Sequence, residues 1–542
     1  MVHSIERHDW KRFLWAAIAG ALIFLFTQAA PVIQPYLSPE SNKVVIEKSI
    51  AEQKAISFAE QQFGSVIESA HTVYQTDSLT TGYLSKEKLL ESYDKQYDSA
   101  FPNDTFQVQL NMSDNKSAFV YVHMTNGNIV SWNLMKGSRV KKDQLIDTAQ
   151  QFAVTKGFRL EELKDYYRND NGDIVFHPTG YKIGDMSLEL TVGVSNVGNQ
   201  PAITKYKPVF QTPASYVAIV DEQKTIASFL SIISLLYMGF MSLLLAIIYS
   251  VLYRRNTTFK RGIVISLIFI VFYIYNNLSV MDGIRAQFGE QVLSDKQMDY
   301  TMWFTVLLLI PIGITVYFTL IAGDGMWRSW KRPLWPGFRE HGYGDHVWRS
   351  MGLSYLFALI ILGMQSIIFF ILDRAIGAWY TSDATQSPYN MSMLWLLPMM
   401  AWCAAISEEA IYRLFGIALF KRWFKNIFVA SLIPTLLWAL GHVGYPIFPF
   451  YTRLIELVIL GLVFSYIFLR YGFITAVFTH AILDSLLMGL SLVSVGGTLN
   501  ITAAIFYAVL PVPIAWVIKF WHDKKGPKPS SIQTTAPPST PQ

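Results

Sequence analysis

The chain has 542 residues, 52% hydrophobic and 15% charged, with 44 Lys and Arg against 39 Asp and Glu for a net charge of +5. Soluble domains carry about 45–50% apolar and about 25% charged residues, so the deficit of charge excludes one soluble domain, a fibrous chain or a disordered one. The small positive balance is no sign of a nucleic-acid partner, because basic residues in a membrane protein report topology.

A spanning helix needs about 20 mostly apolar residues. Ten stretches qualify, at approximately 13–33, 227–253, 262–281, 301–322, 351–372, 392–419, 427–443, 454–470, 473–492 and 501–520. The expected fold is an all-α polytopic membrane protein of about ten helices, with an α+β domain between the first two. Arg7, Lys11 and Arg12 precede the first stretch as in a signal peptide. Its apolar run is long for a cleaved signal, so 1–35 is expected to remain as an anchor.

Residues 36–224 are rich in ionisable groups and form the α+β domain. Lys54–Phe63 reads as an amphipathic helix, and Phe106–Leu110 and Ala118–Val122 alternate like strands. Further on, Gln144–Phe152 repeats the helix, while Ser187–Val192 and Ser215–Val220 read as strands. These two helix-then-sheet units resemble PepSY-type modules, and a spacer without activity fits the same pattern. His71, His123 and His177 are too scattered to suggest a metal site.

Residues 225–350 hold the next three spans and a basic loop, and 351–522 hold the rest. The tail at 523–542 is Pro/Ser/Thr/Gln-rich and is expected to stay disordered. With the N-terminus inside, twenty Lys and Arg fall on inside segments. The short outside loops hold only Arg285, Lys296, Arg374 and Arg453. The expected location is the cell membrane, with both termini cytoplasmic and 36–224 extracytoplasmic. The single cysteine, Cys403, allows neither an intramolecular disulfide nor a thiolate metal site.

Ionisable groups at membrane depth are costly and mark functional candidates. Three late spans carry them: Ser407-Glu408-Glu409-Ala410-Ile411-Tyr412-Arg413, then Trp438-Ala439-Leu440-Gly441-His442, then His480-Ala481-Ile482-Leu483-Asp484. Glu409 and Arg413 are four apart, share a helical face and can pair, which suits a structural role. Glu408 lies about 100° around from Glu409 and is free to face elsewhere. His480 and Asp484 stack on one face, and Trp438 lies one turn below His442. Polar glue between helices is the bland alternative, but Glu408, His442 and His480 together are a heavy cost for glue alone. Glu456 reads as an interfacial or helix-pairing residue. Gly342-Tyr343-Gly344-Asp345 spells an aspartyl-protease motif, but no apolar run supplies a second Tyr-Asp carboxylate. Gly352-x-Ser354 lies too near the cytoplasmic face for a serine site.

Glu-Glu-x-x-x-Arg, aromatic-x-x-x-His and His-x-x-x-Asp, in that order on separate late spans, resemble the CAAX protease and bacteriocin-processing (CPBP) family of type II CAAX prenyl endopeptidases and their bacterial relatives. The resemblance covers about 350–520. It departs from the family at Trp438, where Phe is usual, and at Asp484, where eukaryotic members have Asn. It implies an intramembrane endopeptidase acting on membrane-associated or lipidated peptides, without a cofactor. Glu408 would be the general base for water, His442 would hold that water, and His480 and Asp484 would line the opposite wall and stabilise the oxyanion. Asp484 is a doubtful oxyanion donor, since an ionised carboxylate only accepts. Glu409, Arg413 and Trp438 would support them. Two alternatives stay open. One is a zinc protease with Glu408, His442 and His480 as ligands. The other is a non-catalytic role in transport or bacteriocin immunity.

Overall fold

The computed structural model describes residues 7–37, 45–135, 145–197 and 200–525. The expected tail lies almost wholly outside the described residues. Among the described residues, seven helices are long and apolar enough to cross a membrane, or nine if each of two bent pairs counts as one span. They are Trp10–Gln34, Ala214–Leu252, Asp295–Ser329, Tyr343–Ile376, Leu394–Phe424, Tyr451–Tyr471 and Phe473–Val495, with the pairs at 263–287 and 498–525. The expected span at 427–443 is a shorter helix, Ile427–Leu440, of 14 residues. At 1.5 Å per residue it reaches only about 21 Å, short of a bilayer core of about 30 Å.

Between the first two long helices the chain folds into a nine-stranded sheet. Its strands are β1 (Ile67–Thr76), β2 (Asp104–Met112), β3 (Ser117–His123), β4 (Ile129–Leu134), β5 (Tyr166–Arg168), β6 (Ile174–Phe176), β7 (Lys182–Ile183), β8 (Met186–Val197) and β9 (Gln200–Gln211). They lie in the order β1-β2-β3-β4-β9-β8-β6-β5, with β7 on β8, and every pair is antiparallel. Two halves meet where β4 pairs β9, Trp132 opposite Tyr206. Each half begins with a helix whose buried face repeats every fourth position and is made mostly of alanine. Ala51, Ala55 and Ala59 are buried in Lys48–Phe63, and Leu145, Ala149 and Ala153 in Leu145–Thr155. Side chains four apart stack on one helical face, and alanine lets that face approach the sheet closely.

Ser215–Val220 is not a strand. It is the first turn and a half of a helix that starts at Ala214 and runs unbroken past 224 into the next span. Six residues of apolar texture carry no length information. The long apolar run that follows decides for helix, and Tyr216 and Val220, four apart, are its buried pair.

The alternation in β2 is resolved on both faces. Phe106, Val108, Leu110 and Met112 enter the domain core. Gln107 and Gln109 face the other way yet are also buried, because the bundle's 281–293 segment covers them. Gln109 Nε2 donates to the Leu293 carbonyl at 3.1 Å. Gln75 donates to Ala286 at 2.6 Å, Tyr121 and Asn133 to the Glu290 carboxylate at 2.8 and 2.7 Å, and Lys48 and His71 bracket Asp282 at 2.8 and 2.9 Å. On the open edge of β1, the Asn390 side-chain amide accepts from Tyr74 N at 2.7 Å and donates to Tyr74 O at 2.9 Å. It substitutes for a neighbouring strand and caps the edge.

A small ribbon completes the docking, so the part after the sheet is not purely helical. Trp379–Tyr380 pairs with Ile447–Phe448, and the Trp379 and Phe448 rings stack at 5.6 Å. Both rings belong to the sheet domain's core. Within the bundle, Gly20 and Gly363 let the first helix lie directly on Tyr343–Ile376. A Cβ at Gly363 would come within 2.4 Å of the Gly20 Cα.

Candidate active site

Three elements converge: Leu394–Phe424 (the glutamate helix), Ile427–Leu440 (the tryptophan helix) and Phe473–Val495 (the histidine helix). The glutamate helix is not α-helical throughout. From Glu409 to Ile417 its hydrogen bonds shift to the wider π register. π segments occur mostly as single turns near functional sites, and this one begins between the two carboxylates.

The two glutamates have opposite surroundings. Glu409 is fully buried, 3.1 Å from Arg413 Nη1, and its Oε1 lies 2.9 Å from His480 Nδ1. Arg413 is buried as well, its guanidinium over the Trp438 ring at 4.4 Å and the Phe464 ring at 5.3 Å. Two aromatic faces replace the water this cation has given up. Glu408 keeps 17% of its side-chain surface, His442 19% and Asp484 24%, against 4% for His480. These partly open groups line one recess.

Hydrogen bonds orient the imidazoles. His442 Nδ1 lies 2.9 Å from the Trp438 carbonyl, which can only accept, so Nδ1 carries a proton. In neutral His442, Nε2 is then a bare acceptor, facing Glu408 Oε1 at 3.8 Å. His480 Nε2 faces Glu408 Oε2 at 3.8 Å and Asp484 Oδ2 at 3.3 Å. A separation of 3.8 Å is too long for a direct hydrogen bond and leaves both partners able to touch one water.

The tryptophan does more than pack on His442. Its indole Nε1–H donates to Glu408 Oε2, while its ring meets His442 edge-to-face at 5.3 Å. Room for it comes from Gly461 on the neighbouring helix. A Cβ there would lie 3.0 Å from the Trp438 ring and 2.6 Å from Thr435 Cγ2. Tyr445, which the sequence did not single out, stacks on His442 at 5.5 Å with ring planes 8° apart.

The structure thus brings Glu408, Glu409, Arg413, Trp438, His442, His480 and Asp484 together. Among the described residues, no three His, Cys, Asp or Glu side chains form a group that could hold a metal ion. Glu456 lies apart, buried between Arg453 and Gln365, and Gln365 Nε2 donates to it at 2.7 Å, joining two helices. Ser354 is buried against the Ser350 and Thr475 carbonyls, and Asp345 pairs with Lys519.

Residues 390–486, which hold all of these site groups, match the family model described as type II CAAX prenyl endopeptidase Rce1-like. The chain is similar to the sporulation-killing factor biosynthesis protein SkfC of Bacillus subtilis (strain 168), 25% identical over 187 residues. That similarity covers 33% of this chain and 34% of the relative, so it spans about a third of the relative's length. No solved structure matches. The chain is therefore a multi-pass membrane protein whose late helices match the model of a prenyl-endopeptidase family.

Proposed function

We propose that this protein is an intramembrane endopeptidase that cleaves membrane-associated or lipidated peptides with a water activated by Glu408. The observation that carries the proposal is the facing of Glu408 Oε1 and the acceptor Nε2 of His442 across 3.8 Å. A water held there gives one proton to the carboxylate as its oxygen attacks a peptide carbonyl. The Trp438 N–H holds the other carboxylate oxygen. His480, fixed by Glu409 on its Nδ1 side, lines the opposite wall, where an imidazolium favours negative charge on the carbonyl oxygen. Asp484 faces the same nitrogen and favours that imidazolium.

The test is cleavage of a panel of lipidated and plain membrane-anchored peptides by the purified chain in proteoliposomes, with new termini read by mass spectrometry. Glu408→Gln preserves shape but cannot take a proton, so turnover should fall by about 10²–10⁴-fold. An active Glu408→Gln protein sinks the proposal. The zinc alternative, with Glu408, His442 and His480 as ligands, needs His480 neutral with a bare Nε2 and the three side chains drawn closer than they stand here. Dialysis against a strong chelator separates the two. The glutamate mechanism survives it, whereas a zinc enzyme loses activity and regains it when zinc is returned.

A further inference from the structure

We infer that the site is entered from the face of the bundle that carries the nine-stranded sheet, so that its substrate is a peptide segment presented on that side of the membrane. The inference rests on the endopeptidase reading above, and names the side from which the peptide comes.

Burial along the helices sets the direction. In the glutamate helix every residue from Glu409 to Phe420 is buried, whereas Met400, Trp402, Ala404 and Ile406 on the other side of Glu408 are half-buried. The histidine helix shows the same asymmetry. From Phe473 to Leu483 only Val477 escapes full burial, but Leu486, Leu487 and Met488 beyond Asp484 are half-buried. Beneath the recess, Trp438, Arg413 and Phe464 close the third side.

The open end is the sheet end. The histidine helix begins at the far face, where Phe473 N donates to the Leu334 carbonyl and Thr475 bonds Ser350. The glutamate helix begins on the sheet side, four residues after Asn390 and its clamp on β1. The tryptophan helix stops short, and the chain leaves His442 through exposed Gly444 and Tyr445 towards the ribbon strand Ile447–Phe448. This helix of 14 residues, among neighbours of 21 and more, ends close to Glu408, and the chain from Gly441 to Phe450 continues as turns and a short strand on the sheet side.

Single-cysteine variants in a Cys403→Ser background test this without needing cleavage. Asp484→Cys, and Met488→Cys one turn further out, would be labelled in proteoliposomes with a charged, membrane-impermeant thiosulfonate. Asn126→Cys in the turn before β4 reports which way the sheet faces. Both site cysteines should react when reagent is on the Asn126→Cys side and fail to react when it is on the other. Reaction from the opposite side only, from both sides equally, or from neither overturns the inference. An active Glu408→Gln protein with sheet-side labelling overturns the endopeptidase reading and leaves the access route standing. Inactivity of Glu408→Gln with labelling from the wrong face does the reverse.

Discussion

Two carboxylate centres in the bundle, Asp324 and Glu408, are built to opposite ends. Asp324, 1% exposed, accepts from Arg328 Nε at 2.9 and 3.1 Å and from Thr257 at 2.9 Å, with Arg261 Nε at 3.2 Å. Arg328 reaches on to Glu340 at 2.8 Å, and Arg261 lies over the Trp335 ring at 4.4 Å. Both oxygens are taken up by guanidinium groups at contact distance, leaving no room for a reactant. Around Glu408, one oxygen is held by Trp438 and the other faces an imidazole across a gap. A carboxylate saturated by cations is a fastener. One left with an unfilled direction can take up a proton.

The contrast is exposed first by Asp324→Ala. Removing one partner of a buried ionic cluster costs about 3–5 kcal/mol, because two desolvated guanidinium groups lose their counter-charge. Thermal unfolding in detergent should show that loss, with Glu408→Gln near wild type. Equal unfolding temperatures for the three proteins would abolish the distinction. Next, Trp438→Phe keeps the ring beneath Arg413 and beside His442 but deletes the donor to Glu408. A hydrogen bond to a charged group contributes about 1.5–3 kcal/mol. Turnover should fall by roughly 10–10²-fold on that scale with KM little changed. A wild-type rate would mean that the N–H does not position the carboxylate. The smallest effect is expected at Gly461→Ala. The added methyl presses on Trp438 and Thr435, at a typical overpacking cost of about 1–3 kcal/mol. Its loss of turnover should have the same sign as that of Trp438→Phe and be smaller, and an unchanged protein would show the tryptophan free to shift.

Much of the site was legible because its signals are local. Glu409 with Arg413, Trp438 with His442 and His480 with Asp484 are each spaced by one helical turn, and each pair is found on one face. The pairing of Glu408 with Trp438 was not legible, since it depends on how two helices approach and on Gly461 of a third. Asp324 was passed over although it stands alone between glycines in an apolar run with Arg328 one turn on. That spacing was signal enough. In the sheet domain the helix with its alanine ladder and the strand alternation could be read. The two-sided burial of β2 could not, because its second cover comes from residues 281–293. Ser215–Val220 failed for want of length.

The π segment from Glu409 to Ile417 has a further consequence, for how this chain can vary. A π turn holds one residue more than an α turn, so the segment stores surplus chain between Glu408 and the lower half of its helix. Deleting one residue there and relaxing to α register would leave the helix on either side in its present phase, since the wide turn already holds the extra residue. A further inserted residue that the π register does not absorb would instead rotate everything before it by about 100° about the helix axis. Placed ahead of Arg413, it would turn Glu408 away from Trp438 and His442 while Arg413 kept its place over the indole ring. Length in this segment is therefore phase. Single-residue insertions between 409 and 412 should be lost from functional variants more readily than single-residue deletions, even where every substitution of the apolar residues around them is accepted.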